Sequence, residues 1–153
     1  MEVFRRLLKS DLHEIITVAK QSYDNPMFRS YVLDDVMASF DKNQRYKIEL
    51  YGFFFNNKLV HFCGFAKSVG IGFAYELRLT TTLPHFRGVG YNSRSHERLM
   101  ATIASRHRDE PIVVQIATKR PDIYIKQGFK ETGHVSMYNF THLLKLLHQR
   151  NVR

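Results

Sequence analysis

Residues 46 to 55 and 58 to 67 restrict the fold more than any other stretch. Both are dense in aromatic and β-branched side chains, among them Tyr51, Phe53, Phe54, Phe55, Val60, Phe62 and Phe65. Asn56-Asn57 separates them, and asparagine tolerates the backbone that a tight turn demands. The spacing therefore predicts a β-hairpin, two long antiparallel strands. Residues 73 to 82 alternate in polarity and predict a third long strand beside them.

The flanking segments supply the helices. Residues 3 to 8 read as a short strand. Ser10 is an N-cap for a helix whose apolar set is Leu12, Ile15, Ile16 and Ala19, ending near Tyr23. Residues 27 to 32, with Met27, Phe28, Arg29 and Tyr31, read as a loop, and a short helix follows from Asp34 to Phe40. A helix from Gly88 to Arg106 carries Leu99, Met100 and Ile103 on one face. Pro111 introduces the strand Ile112 to Ile116, and Pro121 starts a short helix that Gly128 ends. Strands near Phe129 to Glu131 and Val135 to Phe140 come next. Leu143, Leu144, Leu146 and Leu147 then predict an amphipathic helix from Thr141 to Gln149. This order predicts an α/β (α+β mixed) fold, a mixed sheet with helices on its faces. No repeat or Pro/Gly-rich linker interrupts the 153 residues, so the expectation is one domain over 1–153.

Composition excludes several classes. A hydrophobic share of 44% with 24% charged residues argues against disorder. One cysteine, Cys63, rules out a disulfide within the chain. It reads as a small buried hydrophobe, with a nucleophile as the alternative. The opening Met1 to Arg6 lacks the apolar core of a signal peptide, and no apolar run reaches membrane-spanning length. The expectation is a cytoplasmic protein without a membrane partner, either monomer or homodimer. The eight histidines show no paired ligand spacing, so no metal is expected. Twenty-three basic against 14 acidic residues give a net charge of +9. That excess fits either a solvated basic surface or an anionic partner such as nucleic acid.

The chemistry concentrates in Thr80-Thr81-Thr82-Leu83-Pro84-His85-Phe86-Arg87-Gly88-Val89-Gly90-Tyr91-Asn92-Ser93. It runs from a strand through a Gly-containing loop into a helix. Free N–H groups at such a helix start, with the helix dipole, favour a bound anion. Glycine lets a phosphate approach the backbone closely.

This segment resembles the acyl-CoA motif of the GNAT superfamily, Gln/Arg-x-x-Gly-x-Gly/Ala, with Arg87 and Gly90 at its first two fixed positions. Asn92 stands at the third, where Gly or Ala is usual. Tyr124-Ile125-Lys126-Gln127-Gly128-Phe129 is similar to the family's Tyr-x-Lys-x-Gly-Phe, and Arg5 to Lys20 resembles its first strand and helix. The resemblance spans nearly the whole chain. It implies a mostly antiparallel twisted sheet of about six or seven strands flanked by about four or five helices.

It also implies acetyl-CoA as co-substrate. Thr80, Thr81 and Thr82 would pair with pantetheine, and Arg87, Gly88, Val89, Gly90, Tyr91, Asn92 and Ser93 would hold the pyrophosphate. Lys119 and Arg120 would either reach an anion or stay solvated. Tyr124 matches the tyrosine that protonates the departing thiolate or hydrogen-bonds its sulfur, with helix packing as the alternative. An amine with a pKa near about 10 must lose a proton before it attacks. Glu76 is the first candidate base, either there or simply paired with Arg78, and His85 is the alternative. His96 reads as a hydrogen-bonded, half-buried histidine or as a catalytic one. Phe28, Arg29 and Tyr31, with Asp24, Asn25, Tyr51 and Phe53 to Phe55, would shape the acceptor groove. Three functions stay open. One is an N-acetyltransferase whose acceptor sits on, or is bound to, an anionic macromolecule: nucleic acid, aminoacyl-tRNA or protein. Another is an inactive GNAT-like module that binds nucleic acid or a protein. The third is a toxin-like acyltransferase on charged tRNA.

Overall fold

The computed structural model describes residues 1–68, 74–107, 110–137 and 139–147. Strand β1 spans Glu2–Arg6, and helices α1 (Leu12–Ser22) and α2 (Pro26–Phe40) follow. Three long strands come next: β2 (Glu49–Phe55), β3 (Lys58–Lys67) and β4 (Ala74–Thr82). Helix α3 (Tyr91–Ser105), strand β5 (Ile112–Thr118), helix α4 (Pro121–Ile125) and strands β6 (Lys130–Val135) and β7 (Thr141–Leu147) complete the order. The strands form one seven-stranded sheet in the order β1-β2-β3-β4-β5-β7-β6. Only β4 and β5 pair in parallel.

The hairpin forms for the expected reason. Asn56 (φ 49) and Asn57 (φ 63) both hold the left-handed backbone of a two-residue turn. β3 lies mid-sheet and is buried from Leu59 to Ala66, because helices cover both of its faces. Its alternating side chains split the core. Phe62 and Ala66 join Ile15, Val18, Val32 and Val36 beneath α1 and α2. Cys63 and Phe65 join Leu99, Ile103, Val114 and Tyr124 beneath α3 and α4. Gly64 sits where these strands press close; a Cβ there would lie 2.6 Å from Ile48 Cγ2 and 2.7 Å from the Glu49 carbonyl.

Three expectations about elements are corrected: the strand expected over Val135 to Phe140 does not form among the described residues, since β6 already ends at Val135 and the next strand begins at Thr141, and two segments change type. Residues 27 to 32 are helical, because Pro26 occupies the first turn of α2 and Asn25 caps it. The Asn25 Oδ1 accepts from the N–H groups of Met27 (2.9 Å) and Phe28 (3.3 Å). The leucines of 141 to 147 form a strand. β7 pairs antiparallel with β5 over seven positions, from Thr118↔Thr141 to Ile112↔Leu147. Leu-Leu-Lys-Leu-Leu satisfies both helical and alternating patterns, and the open edge of β5 selects the strand. Smaller shifts follow the same logic. The third strand begins at Ala74, with Phe73 outside the described residues, and Gln149 also lies outside them. The helix expected from Gly88 begins at Tyr91, since Gly88 and Gly90 hold positive φ. No helix among the described residues is long and apolar enough to cross a membrane.

Candidate active site

The site starts where two strands part. β4 and β5 pair only from Ala74↔Val113 to Glu76↔Gln115, yet β4 runs on to Thr82 and β5 to Thr118. A β-bulge lies just beyond the split. Gly64 pairs with Arg78 and Phe62 with Thr81, which leaves Leu79 and Thr80 together opposite Cys63. Leu79 has φ 58, a conformation that costs a branched residue about 1–2 kcal/mol. Its side chain packs against the core under α1 and α2, which holds the bulge in place. A cleft of about 890 Å³ opens at this wedge. Leu77, Leu79 and Thr80 line one wall, and Ile116 to Arg120 the other. Tyr23, Met27, Phe28 and Tyr31 close it from the helix side, and Tyr124 and Phe140 from the far side.

The turn before α3 carries unpaired donors. Gly88 (φ 80) and Gly90 (φ 86) are both left-handed, and nothing lies within 4 Å of where a Cβ would stand on either. Gly90 is the N-cap and no side chain caps the helix. The first α3 N–H group bonded to a backbone carbonyl is that of Arg94, to Gly90 (3.1 Å). The N–H groups before it, from Gly88 to Ser93, find no acceptor among the described residues. Such a turn can accept a diphosphate closely on its open side. Arg87 anchors the turn to the end of α1, donating to the carbonyls of Ser22 (2.7 Å) and Thr82 (3.3 Å). Tyr23 fastens the same corner: its hydroxyl donates to the Thr80 carbonyl (3.3 Å) and lies 3.0 Å from Thr81 Oγ1.

Asn92 is turned inward. Its Nδ2 donates to the Tyr124 hydroxyl at 3.3 Å, and its Oδ1 is buried without a partner. The Tyr124 phenol is only 4% exposed, and burial pushes its pKa up, so it stays protonated at neutral pH. The ring of His96 lies 5.4 Å from that of Tyr124. His96, expected to be half-buried, is fully buried, with Nε2 2.9 Å from Thr80 Oγ1. His61 of β3 is equally buried; its Nδ1 lies 2.7 Å from Thr82 Oγ1 and its Nε2 2.9 Å from Ser95 Oγ. Burial holds both imidazoles down to about 3, so both are neutral. The Cys63 thiol beside Ser95 is pushed up to about 12 by burial, which suits packing and not nucleophilic attack. Sequence reasoning passed over His61, although a histidine inside the apolar run Leu59 to Phe65 was the available signal.

Glu76 sits at the apex of the wedge, a third exposed. It is not wrapped in apolar groups. Its Oε2 accepts from the Tyr46 hydroxyl (2.9 Å) and its Oε1 from Gln115 Nε2 (2.5 Å). Arg78 lies 3.9 Å away and makes its closer ion pair with Asp35 (2.8 Å). Both Glu76 and Tyr124 line the cleft. Phe28 and Tyr31 line it too, but Arg29 does not. Its guanidinium donates twice to the Tyr23 carbonyl, at 2.6 and 3.0 Å, and so ties the start of α2 to the end of α1. Tyr51 and Phe53 to Phe55 are also absent from the cleft. Tyr51 stacks between Phe4 and Phe65, Phe53 packs on Tyr91, Phe54 is core and Phe55 meets Phe86. β3 lies between β2 and the β4/β5 wedge, so the rings of either face of β2 pack away from the cleft. His85 is exposed on the turn Pro84–Phe86 and lines no part of the cleft.

No family model and no curated protein sequence matches the chain. Solved structures do match it over nearly its full length. An aminoglycoside 6'-N-acetyltransferase from Enterococcus faecium superposes with a TM-score of 0.77 at 13% identity, covering 97% of this chain and 98% of that one. A GNAT-family protein from Desulfovibrio desulfuricans gives 0.76 at 12% identity, with 96% and 98% covered. The PaiA N-acetyltransferase from Thermoplasma acidophilum, solved with coenzyme A, gives 0.69 at 16% identity, with 95% and 98% covered. At such identities the likeness is one of architecture, and it agrees with the split pair β4/β5 and the open turn before α3: the chain has the GNAT fold.

Proposed function

We propose that residues 1 to 153 form one domain of the GNAT superfamily that moves an acetyl group from acetyl-CoA to an amine. One observation carries this reading. Asn92 of the first turn of α3 bonds the Tyr124 hydroxyl at 3.3 Å, so the turn with free N–H groups and a proton donor that lines the cleft are one hydrogen bond apart. The residues fit the cofactor: Gly88 and Gly90 leave the cradle clear, and the free N–H groups from Gly88 to Ser93 face no competitor. Asn92, the departure from the usual motif, points inward and leaves the open side to the diphosphate. Of the neighbours named above, one acetylates aminoglycosides and another was solved with coenzyme A, which supports the same chemistry.

The thioester supplies an activated acyl group. Thr80 to Thr82 present a strand edge that β5 does not occupy, able to pair with an amide-bearing pantetheine arm. Glu76 takes the proton that the amine sheds, directly or through a water; its two donors leave lone pairs free. The amine nitrogen forms a bond to the acyl carbon as the carbon–sulfur bond breaks. The Tyr124 hydroxyl gives its proton to the departing sulfur. Asn92 donates to Tyr124 Oη, which leaves the phenolic hydrogen for its other side-chain neighbour, Thr80, or for the departing sulfur. The +9 net charge favours an acceptor on, or bound to, an anionic macromolecule.

Incubation of the protein with isotopically labelled acetyl-CoA and separate pools of cell protein, nucleic acid and metabolites tests this. A mass gain in one pool is expected, falling about 10²-fold in Tyr124→Phe. No gain anywhere, with RNA bound by the folded protein in a steeply salt-dependent way, would make it a binding module instead.

A further inference from the structure

The charged groups of the cleft are almost all matched within the protein. Asp35 pairs with Arg78 at 2.8 Å. Glu76 accepts from Tyr46 and Gln115. Arg120 pairs with Asp122 at 3.0 Å. Lys119 differs: among the described residues no carboxylate pairs with it. Its Nζ lies 5.0 Å from the ring centroid of Phe28 and 5.3 Å from that of Phe140. Those two rings are themselves 6.0 Å apart, edge to face, and reach the cleft from opposite sides. The ammonium of this exposed side chain is thus oriented by two π faces. A cation oriented this way and unpaired by any described carboxylate is available to form a charge-assisted hydrogen bond with an arriving anion.

The site also has a length. Lys119 follows Gln115 by four residues, and Gln115 is the strand partner of Glu76. The Cα span from Gln115 to Lys119 is therefore no more than about 14 Å. Met27 and Tyr31 line the same cleft, about half exposed and apolar along most of their length.

Resting on the transferase reading above, we propose that the acceptor is an elongated amine with a carboxylate or phosphate at its far end, and that Lys119 selects it. The amine sits by Glu76, the anion by Lys119, and the chain between them against Met27 and Tyr31. A polycation of the same length would place its second ammonium beside Lys119 and be rejected.

Four acceptors of matched length test this: 6-aminohexanoate, 6-aminohexyl phosphate, hexylamine and 1,6-diaminohexane. The wild type should use the two anionic amines with kcat/KM about tenfold above hexylamine, and use the diamine least. The two anionic probes separate a carboxylate from a phosphate preference. Lys119→Glu should invert the order, and Lys119→Gln should flatten it. The KM for acetyl-CoA should stay within about twofold in both variants. A wild type that prefers the diamine, or that ranks all four alike, overturns the proposal. So does a Lys119→Glu enzyme that loses acetyl-CoA affinity while keeping its acceptor order, since Lys119 would then serve the cofactor. If none of the four is acetylated, the same order must appear in their inhibition of acetyl-CoA hydrolysis; no inhibition by the anionic pair also overturns it. Failure to bind acetyl-CoA at all would instead sink the transferase reading itself.

Discussion

His61 and His96 carry a cost that depends on pH. Each is fully buried and held neutral, with a pKa lowered to about 3 by burial. In the unfolded chain each binds a proton below its ordinary value of about 6.5. The unfolded state therefore takes up more protons as the pH falls, and stability is lost from pH about 6.5 down toward about 3. Two such groups give a slope of up to about 2.7 kcal/mol per pH unit. Glu2, Asp11 and Glu49 have lowered values from arginine partners and withdraw their contribution only at more acidic pH. Urea denaturation at pH 7 and pH 5 should thus show a clear loss of midpoint, reduced in His96→Gln. Equal midpoints would mean that these imidazoles are not buried neutral. At this scale the sequence was uneven. Tyr124 and the glycines of the turn stood out by motif; Tyr124 lines the cleft, while Gly88 and Gly90 lie on the turn before α3, which reaches Tyr124 through Asn92. The inward turn of Asn92 could not be read, since one amide at a helix start has several acceptors within reach and only the fold chooses Tyr124. Arg29 failed for the same reason: the Tyr23 carbonyl at the end of α1 claims its guanidinium.

Elements were legible where local chemistry and long-range pairing agreed. Asn56-Asn57, Pro121 and the Gly88/Gly90 turn each act within a few residues, and the corresponding elements formed, with the start of α3 shifted from Gly88 to Tyr91. Residues 141 to 147 were not legible, because their leucines suit either a helix or a strand and β5 decides from far away in sequence. Residues 27 to 32 misled because Met27 and Tyr31 are exposed on a helix that faces the cleft, an environment that mimics a loop. Two glycines separate packing from function at this scale. Gly64→Ala would press a methyl to within 2.7 Å of the Glu49 carbonyl and should cost about 1–3 kcal/mol in denaturant titration. Gly90→Val meets no atom but strains a φ of 86, so it should cost about 1–2 kcal/mol and weaken coenzyme A binding besides. Coenzyme A affinity lost in Gly64→Ala but kept in Gly90→Val would reverse that assignment.

At the scale of the molecule, the fold works by letting one parallel pair come apart. Six strand pairings hold the sheet, yet β4 and β5 meet over only three positions before they diverge. The bulge at Leu79 and the anchors from Tyr23 and Arg87 keep that gap open, with the uncapped start of α3 beside it. Isothermal titration calorimetry of the folded protein with coenzyme A tests this arrangement most directly. Saturable binding of one molecule per chain is predicted, weakened in Gly90→Val and retained in Tyr124→Phe. An absence of heat across the titration, confirmed by an unshifted melting temperature, would contradict it.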